Sequence, residues 1–154
     1  MEQFKFRFQK ILEYREYLER LEKQKFAEVL KKYVDKDNEL KSKQSRKKKY
    51  LKQITKSIEN NDFLSLKWMD NSRQTLSFGI NRNKSELIQE EYKVNSARAE
   101  LLEFTKKKKM MEKMKERDYE IWRKEKKKED NKIMNEIAQQ MFHQKKKDEN
   151  NDTH

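Results

Sequence analysis

The sequence contains no cysteine, no proline and a single glycine, Gly79, in 154 residues. Without cysteine there can be no disulfide framework, and no thiolate is available to bind a metal or act as a nucleophile. Proline and glycine supply the backbone conformations that sharp turns require, so this chain can make few of them. These absences favour long, uninterrupted elements over a compact globule.

Charged residues make up 44% of the chain and hydrophobic residues only 32%. Lys and Glu, which dominate the charged set, are good helix formers, whereas β-branched residues are scarce. The hydrophobic share is too small for a round core but sufficient for a seam between two helices. Intrinsic disorder has a similar composition. The apolar residues recur at helical spacing, however, which favours a coiled coil that is ordered alone or with a partner.

Apolar residues recur every three or four positions along two segments of the chain, as they do on the buried face of a helix. The first set comprises Phe4, Phe8, Ile11, Tyr14, Leu18, Leu21, Phe26, Leu30, Tyr33, Leu40, Leu51, Ile54 and Ile58. In the second segment, Ile80, Leu87, Val94 and Leu101 are seven apart, as are Ala97, Phe104 and Met111, before the seam drifts to Met114, Ile121, Met134, Ile137 and Met141. The sequence therefore predicts two long helices.

Between these segments the stretch 59–62, Glu-Asn-Asn-Asp, interrupts the pattern. Asn and Asp favour turns and helix N-caps, so we expect the chain to reverse here, with Asn61 or Asp62 capping the second helix. The predicted fold is all-α, a long antiparallel two-helix coiled-coil hairpin. Its helices cover 3–58 and 66–147, its turn lies at about 59–65, and residues 148–154 form a disordered tail.

The second helix is predicted to be longer than the first and to extend beyond it. In an alternative arrangement, residues 59–83, which include Gly79, form a broken apex and the two arms have equal length.

Catalysis finds little support in the sequence. One glycine cannot form a phosphate-binding loop, and His143 and His154 lack the spacing of metal ligands or a general base. The abundant carboxylates are placed to pair with Lys three or four positions away on a helix. We therefore expect no enzyme, no cofactor and no metal site.

The chain has a net charge of +12, and its basic residues form runs at 46–49, 106–109, 126–128 and 145–147. A basic rod could bind nucleic acid or an anionic membrane. Two other interpretations remain, a solvated helical face and an acidic protein partner. No nucleic-acid motif is present, and the aromatics follow the apolar seam more than the lysine runs, so nucleic acid is not the expected partner.

Large aromatics also flank the turn, namely Tyr50, Phe63, Trp68 and Phe78. A two-helix seam does not need so much bulk at its end. These side chains are predicted either to close the hairpin or to form a docking patch for a partner.

Both ends of the chain carry motifs of a known family. At the N-terminus, Phe4-x-Phe6-x-Phe8 is followed by Leu12, Arg15 and Glu19. At the C-terminus stand Met114–Arg117 and Asn135–Phe142. Together these motifs resemble the flagellar export protein family FliJ, which often has Asp where this chain has Asn135. Trp68 stands where family members carry an aromatic just after the turn. The resemblance covers nearly the whole chain.

The resemblance implies a stalk of the type III flagellar export apparatus. Members of that family are antiparallel coiled coils whose paired termini enter the export ATPase FliI and whose turn faces the export gate FlhA; they also bind export chaperones. It implies ATPase contacts at Phe4, Phe8, Ile11, Arg15, Glu136, Ile137 and Met141. It implies gate docking at Tyr50, Phe63, Trp68 and Phe78.

The expected location rests both on the sequence and on the resemblance. The N-terminus has no apolar stretch of leader length and no segment approaches a membrane span, so we expect a cytoplasmic protein. The resemblance places it peripherally, through its partners, at the cytoplasmic face of the inner membrane. A basic coiled coil that binds nucleic acid or an anionic membrane is the alternative, and a helical chaperone for secreted subunits is a third possibility.

Overall fold

The computed structural model describes residues 3–151, and side chains are described for residues 3–147. Two helices follow a short N-terminal segment: α1 spans Gln9–Glu59 and α2 spans Phe63–Asn151. The described residues include no strand. The predicted all-α class and two-helix hairpin are confirmed. Neither helix, over its described residues, has the length and hydropathy of a membrane span.

The N-terminal segment differs from the prediction, because helix was expected from residue 3 and α1 begins at Gln9. Phe4, Phe6 and Phe8 alternate with charged residues, which is the period of extended backbone, not of a helix. The Gln9 N–H donates to the Phe6 carbonyl at 3.2 Å, and this bond leads into the first turn of α1.

At the other end, α2 begins three residues before the predicted position and reaches Asn151. The predicted disordered tail, 148–154, overlaps the last residues of α2, and its side chains lie outside the described residues.

The turn between the helices is built from hydrogen bonds that the sequence 57–62 can form without glycine. Asn61 has φ of 54°, in the left-handed region that Asn tolerates better than most residues. The Asp62 N–H donates to the Ser57 carbonyl at 3.0 Å and the Asn61 N–H to the Ile58 carbonyl at 3.3 Å, which together form a Schellman motif. Asp62 then caps α2, because its Oδ1 accepts from the Ser65 N–H at 3.2 Å. Of the two predicted caps, Asp62 fills the role.

The chain divides into two compact units, the first formed by Met1–Arg15 with Lys107–His154 and the second by Glu16–Lys106. In the second unit the helices run antiparallel. Ser57 Oγ donates to Met69 Sδ at 3.7 Å near the turn. Farther from the turn, Lys36 pairs with Glu86 and Arg98 lies over the Phe26 ring. Residues 63–83 are helical throughout, including Gly79, so the second unit contains no broken apex.

The seam of the second unit follows the predicted heptads on α2. Ile80 and Val94 are buried, and Leu87, Ala97, Leu101 and Phe104 are half-buried. On α1 the prediction is partly wrong: Ile54 faces inward as predicted, but Leu51 and Ile58 are exposed, and Tyr50 and Ser57 face inward instead. Ser57 and Asn83 are buried polar residues within this narrow seam. The seam of the second unit is therefore thin, and buried polar side chains interrupt its apolar contacts.

In the first unit the α2 seam keeps its heptad spacing, so the predicted drift to Met114 and Ile121 is wrong: both are exposed. Lys115, Asp118 and Trp122 are half-buried at the seam positions instead. Because residues 115 and 118 are polar, the pattern of apolar residues did not show that the seam continues through these positions.

The last part of α2 has a different environment. From Lys127 to Lys147 every side chain is exposed. Helix α1 has 51 residues and α2 has 89. The second helix is therefore longer than the first, as predicted. We call residues 127–147 the C-terminal segment.

Candidate protein-interaction sites

Three aromatic rings join the N-terminal segment to α2 in the first unit. Phe4 meets Tyr119 edge to face, with ring centroids 5.3 Å apart and planes at 79°. Phe4 also lies 5.8 Å from Trp122, and Tyr119 and Trp122 are 5.7 Å apart. Tyr119 and Trp122 are three positions apart, so they project from the same face of the helix. We call Phe4, Tyr119 and Trp122 the aromatic clamp.

Neighbouring contacts hold the clamp in place. Phe6 is 8% exposed and packs its ring 5.9 Å from that of Phe8. Lys115 Nζ donates to Gln9 Oε1 at 2.9 Å. On the other side of the clamp, Lys126 Nζ lies 5.1 Å from the Trp122 ring centroid, a cation–π contact. The N-terminal segment therefore lies along α2, with Phe4 against Tyr119 and Trp122 and with Gln9, the first residue of α1, bonded to Lys115.

Beyond the clamp, the C-terminal segment carries an apolar stripe with no packing partner among the described residues. Ile133, Ile137 and Met141 are four apart, and Met134 and Ala138 flank them on the same side of the helix. Each of the four large side chains is exposed. Lys132, Asn135, Glu136 and Gln139 form the opposite face. An amphipathic helix of this kind can dock its apolar face into a groove of another protein.

The residues predicted to contact the ATPase fall into two groups in the first unit. Phe4, Phe8 and Arg15 are half-buried within the packed part, whereas Ile11 is exposed. Glu136, Ile137 and Met141 all lie on the C-terminal segment and are exposed. The aromatic partners of Phe4 are Tyr119 and Trp122, which sequence reasoning missed. Extending the seven-residue spacing from Leu101 through 108 and 115 would have placed Trp122 on the seam.

The second candidate site is a groove in the second unit, near the turn. Tyr50 of α1 and Trp68 of α2 both line it, so the fold brings together two of the four aromatics predicted for gate docking. Its volume is about 520 Å³, and Gly79 forms part of its wall. Lys43 and Arg46 add positive charge at the rim. We call this the Tyr50–Trp68 groove.

Phe63 and Phe78, the other two predicted docking residues, lie outside this groove. Both are exposed, at 73% and 75%. Leu64 is exposed at 86% and Ile58 also faces solvent, which leaves the two sides of the turn apolar. Side chains that only closed the hairpin would be covered, so hairpin closure does not account for Phe63, Leu64 and Phe78.

Charge pairs position the helices of the second unit. Lys36 Nζ donates to Glu86 Oε2 at 2.5 Å across the seam, and Arg82 Nε donates to Glu86 Oε1 at 3.1 Å. The hydrogen bond from Lys36 is the main reason that the pKa of Glu86 is lowered, and the bond to Glu86 raises the pKa of Lys36. At the turn, the hydrogen bonds with Ser65 lower the pKa of Asp62. Within residues 3–147, no group of His, Asp or Glu side chains is arranged to hold a metal ion.

These features define a class of protein, an α-helical coiled-coil hairpin whose exposed apolar surfaces suit the binding of other proteins. The comparisons with known proteins agree. The model of the family FliJ, described as flagellar FliJ protein, matches residues 4–147, and the chain belongs to that family. It is therefore a flagellar-export-related protein of a family that is a non-catalytic component of the export apparatus. No curated protein and no solved structure matches the chain.

Proposed function

We propose that this protein is the central stalk and adaptor of the flagellar type III export ATPase. In this role it links the ATPase FliI to the export gate FlhA at the cytoplasmic face of the inner membrane, and it also binds export chaperones. The observation that carries the proposal is the C-terminal segment, a helix of exposed side chains with an apolar stripe. Membership of the FliJ family supplies the partner.

At the ATPase end, the aromatic clamp and the C-terminal segment have different roles. The clamp fixes the N-terminal segment against α2 through Phe4, so that the helix leaves the packed part in a defined direction. Ile137 and Met141 then present an apolar surface to the ATPase, and Glu136 offers a carboxylate beside it. Phe8, Ile11 and Arg15 complete the contact from the N-terminal side.

The ATPase end can be tested by truncation and by point substitution. Removal of residues 130–154 is expected to abolish stimulation of ATP hydrolysis by FliI, because it deletes the apolar stripe. In the full chain, Ile137→Ser with Met141→Ser should reproduce much of this loss. Ile88→Ser is a matched control, since Ile88 is also an exposed isoleucine of α2 but belongs to the second unit. Undiminished stimulation by the truncated protein would disprove the proposal.

At the gate end, the Tyr50–Trp68 groove is the main contact and Phe63 and Phe78 extend it. A few large aromatics commonly contribute most of the free energy of an interface. We expect Tyr50→Ala with Trp68→Ala to weaken binding to the cytoplasmic part of FlhA by at least about tenfold, which is roughly 1.4 kcal/mol. Binding to FliI should be unchanged.

Circular dichroism of the same variant is the necessary control. Both residues line a groove between two helices, and their loss could loosen the hairpin near the turn. A variant that keeps its helicity and binds FlhA normally would show that these aromatics are structural.

A further inference from the structure

The positive charge of this chain is concentrated near the turn. Between residues 40 and 58 there are eight basic residues and no acidic residue. Two other lysine runs differ, because acidic residues accompany them: Lys126–Lys128 stands between Glu125 and Glu129, and Lys106 pairs with Glu103. The charge near the turn is therefore not the alternating pattern of an ordinary solvated helix face.

Five cations in this run lack ionic partners. Lys41 pairs with Asp37 and Lys43 with Glu39. The next basic residues have no Asp or Glu within four positions on α1 and form no ion pair within residues 3–147; they are Arg46, Lys47, Lys48, Lys49 and Lys52. Like charges so close together destabilise a helix. An external anion that neutralises them would remove this cost.

The cations are spread over the hairpin and do not converge on one pocket. Lys41, Lys47 and Lys48 of α1 and Lys84 of α2 line one groove, whose floor includes Leu51 and Ile80. Lys43 and Arg46 line the Tyr50–Trp68 groove, which shares no residue with the first. A single small anion could neutralise only a few of these charges. An extended anionic surface could neutralise all of them.

Exposed aliphatic side chains lie beside this charge. Ile58 and Leu64 stand on either side of the turn, and Leu51 is exposed within the basic run. A nucleic acid would bind the lysines, and a single strand would stack on exposed aromatic rings, but it would leave the aliphatic Ile58 and Leu64 without a partner. A second copy of this chain would bring two strongly positive surfaces together. A bilayer of acidic phospholipids offers phosphates for the lysines and an interface into which aliphatic side chains insert.

We propose that the turn end of the second unit binds directly to acidic phospholipid bilayers through the basic run 41–56, with Ile58 and Leu64 inserting at the interface. This interaction goes beyond the stalk function and requires neither FliI nor FlhA. It holds the turn end at the membrane surface.

The test uses the full chain and vesicles of phosphatidylcholine, alone or with added phosphatidylglycerol, in a flotation assay. Binding is expected only with phosphatidylglycerol and should fall as salt is raised. Reversal of three exposed, unpaired charges, Lys48→Glu, Lys49→Glu and Lys52→Glu, should weaken binding by at least about tenfold. The matched control is Lys145→Glu, Lys146→Glu and Lys147→Glu, which changes net charge equally and should leave binding nearly unchanged.

A second pair of variants tests insertion. Ile58→Ser with Leu64→Ser should also weaken vesicle binding by about tenfold. Ile88→Ser with Leu102→Ser replaces the same residue types at exposed positions of the second unit and should have no effect. Circular dichroism verifies that every variant keeps its helicity.

Three results would overturn the proposal. The first is an absence of binding to phosphatidylglycerol vesicles. The second is equal loss in both charge-reversal variants, which would show a response to net charge alone. The third is normal vesicle binding by the Ile58 and Leu64 variant together with charge-dependent binding of double-stranded DNA, which would assign the surface to nucleic acid.

Discussion

Asn61 permits the chain to reverse without glycine. Its backbone lies in the left-handed region, where a side chain with a Cβ is ordinarily strained and Asn is better tolerated. The same residue places the Asp62 N–H against the Ser57 carbonyl and so ends α1. Only then can Asp62 begin α2 as its N-cap. The turn therefore depends on two adjacent residues with different roles.

Substitution of Asn61 tests this division. Asn61→Ala should lower the free energy of unfolding by about 1 kcal/mol, because Ala bears the full cost of the left-handed conformation. Asn61→Gly should be close to the wild type, since glycine adopts this conformation without strain. Urea denaturation followed by circular dichroism measures both. Equal destabilisation by the two substitutions would mean that the Asn side chain, and not its backbone, holds the turn.

Gly79 is the opposite case, because it lies inside a helix where its conformational freedom is a disadvantage. A Cβ at this position would meet Lys43 Nζ at 3.7 Å, an ordinary van der Waals contact. Gly79→Ala should therefore raise the free energy of unfolding by up to about 1 kcal/mol, the difference in helix propensity. The same denaturation experiment measures it. A loss of stability would show that Lys43 requires the space that a Cβ at position 79 would fill.

Among the elements, the N-terminal segment is held by rings rather than by helical pairing. An aromatic pair of this geometry contributes about 0.5–1.5 kcal/mol beyond its buried area. Phe4→Ala removes both contacts of the aromatic clamp and should speed hydrogen exchange of α2 amides near Tyr119 and Trp122. Phe142→Ala is the matched control, because that ring is exposed and its ring contact is the adjacent His143. Unchanged exchange after Phe4→Ala would contradict the clamp.

The charge pair across the second unit gives a prediction for pH. The pKa of Glu86 is lowered from its ordinary 4.5, so its stabilisation is complete above about pH 4.5 and is lost as pH falls through the folded-state value. The pKa of Lys36 is raised from 10.5, so its contribution is complete below about pH 10.5 and is lost as pH rises through the folded-state value. Thermal denaturation of Glu86→Gln should therefore show a stability deficit between these limits that disappears in acid. Glu91→Gln, at an exposed position, should show no such deficit. A deficit that persists in acid would mean that the shape of the Glu86 side chain, and not its charge, stabilises the protein.

The sequence predicted the elements better than their details, for a physical reason. Seven-residue spacing is visible where the seam residues are apolar, as at Ile80 and Val94, and both are buried as expected. Where the seam position is Lys115 or Asp118, the long stem or the small carboxylate still packs, but hydrophobicity no longer marks the position. Trp122 was missed for that reason. Tyr50 and Trp68 line one groove only because of the register between the two helices, which periodicity within one helix does not specify.

For the whole molecule, the two proposed sites belong to different units and share no residue. In the proposed function, the C-terminal segment contacts the ATPase and the Tyr50–Trp68 groove contacts the gate. Substitutions at well-separated sites with no common partner act additively, within about 0.5 kcal/mol. Each site should therefore tolerate the loss of the other.

A combined variant tests this independence. The chain without residues 130–154 should bind FlhA with wild-type affinity, and Tyr50→Ala with Trp68→Ala should stimulate FliI normally. A chain that carries both changes should lose each activity by the same factor as the corresponding single change, because neither alteration touches the contacts of the other site. Titration calorimetry with FlhA and steady-state ATP hydrolysis by FliI measure the two activities on the same preparations. If the truncation also weakens gate binding by more than about 2.5-fold, beyond the roughly 0.5 kcal/mol expected for independent sites, the two proposed sites are coupled.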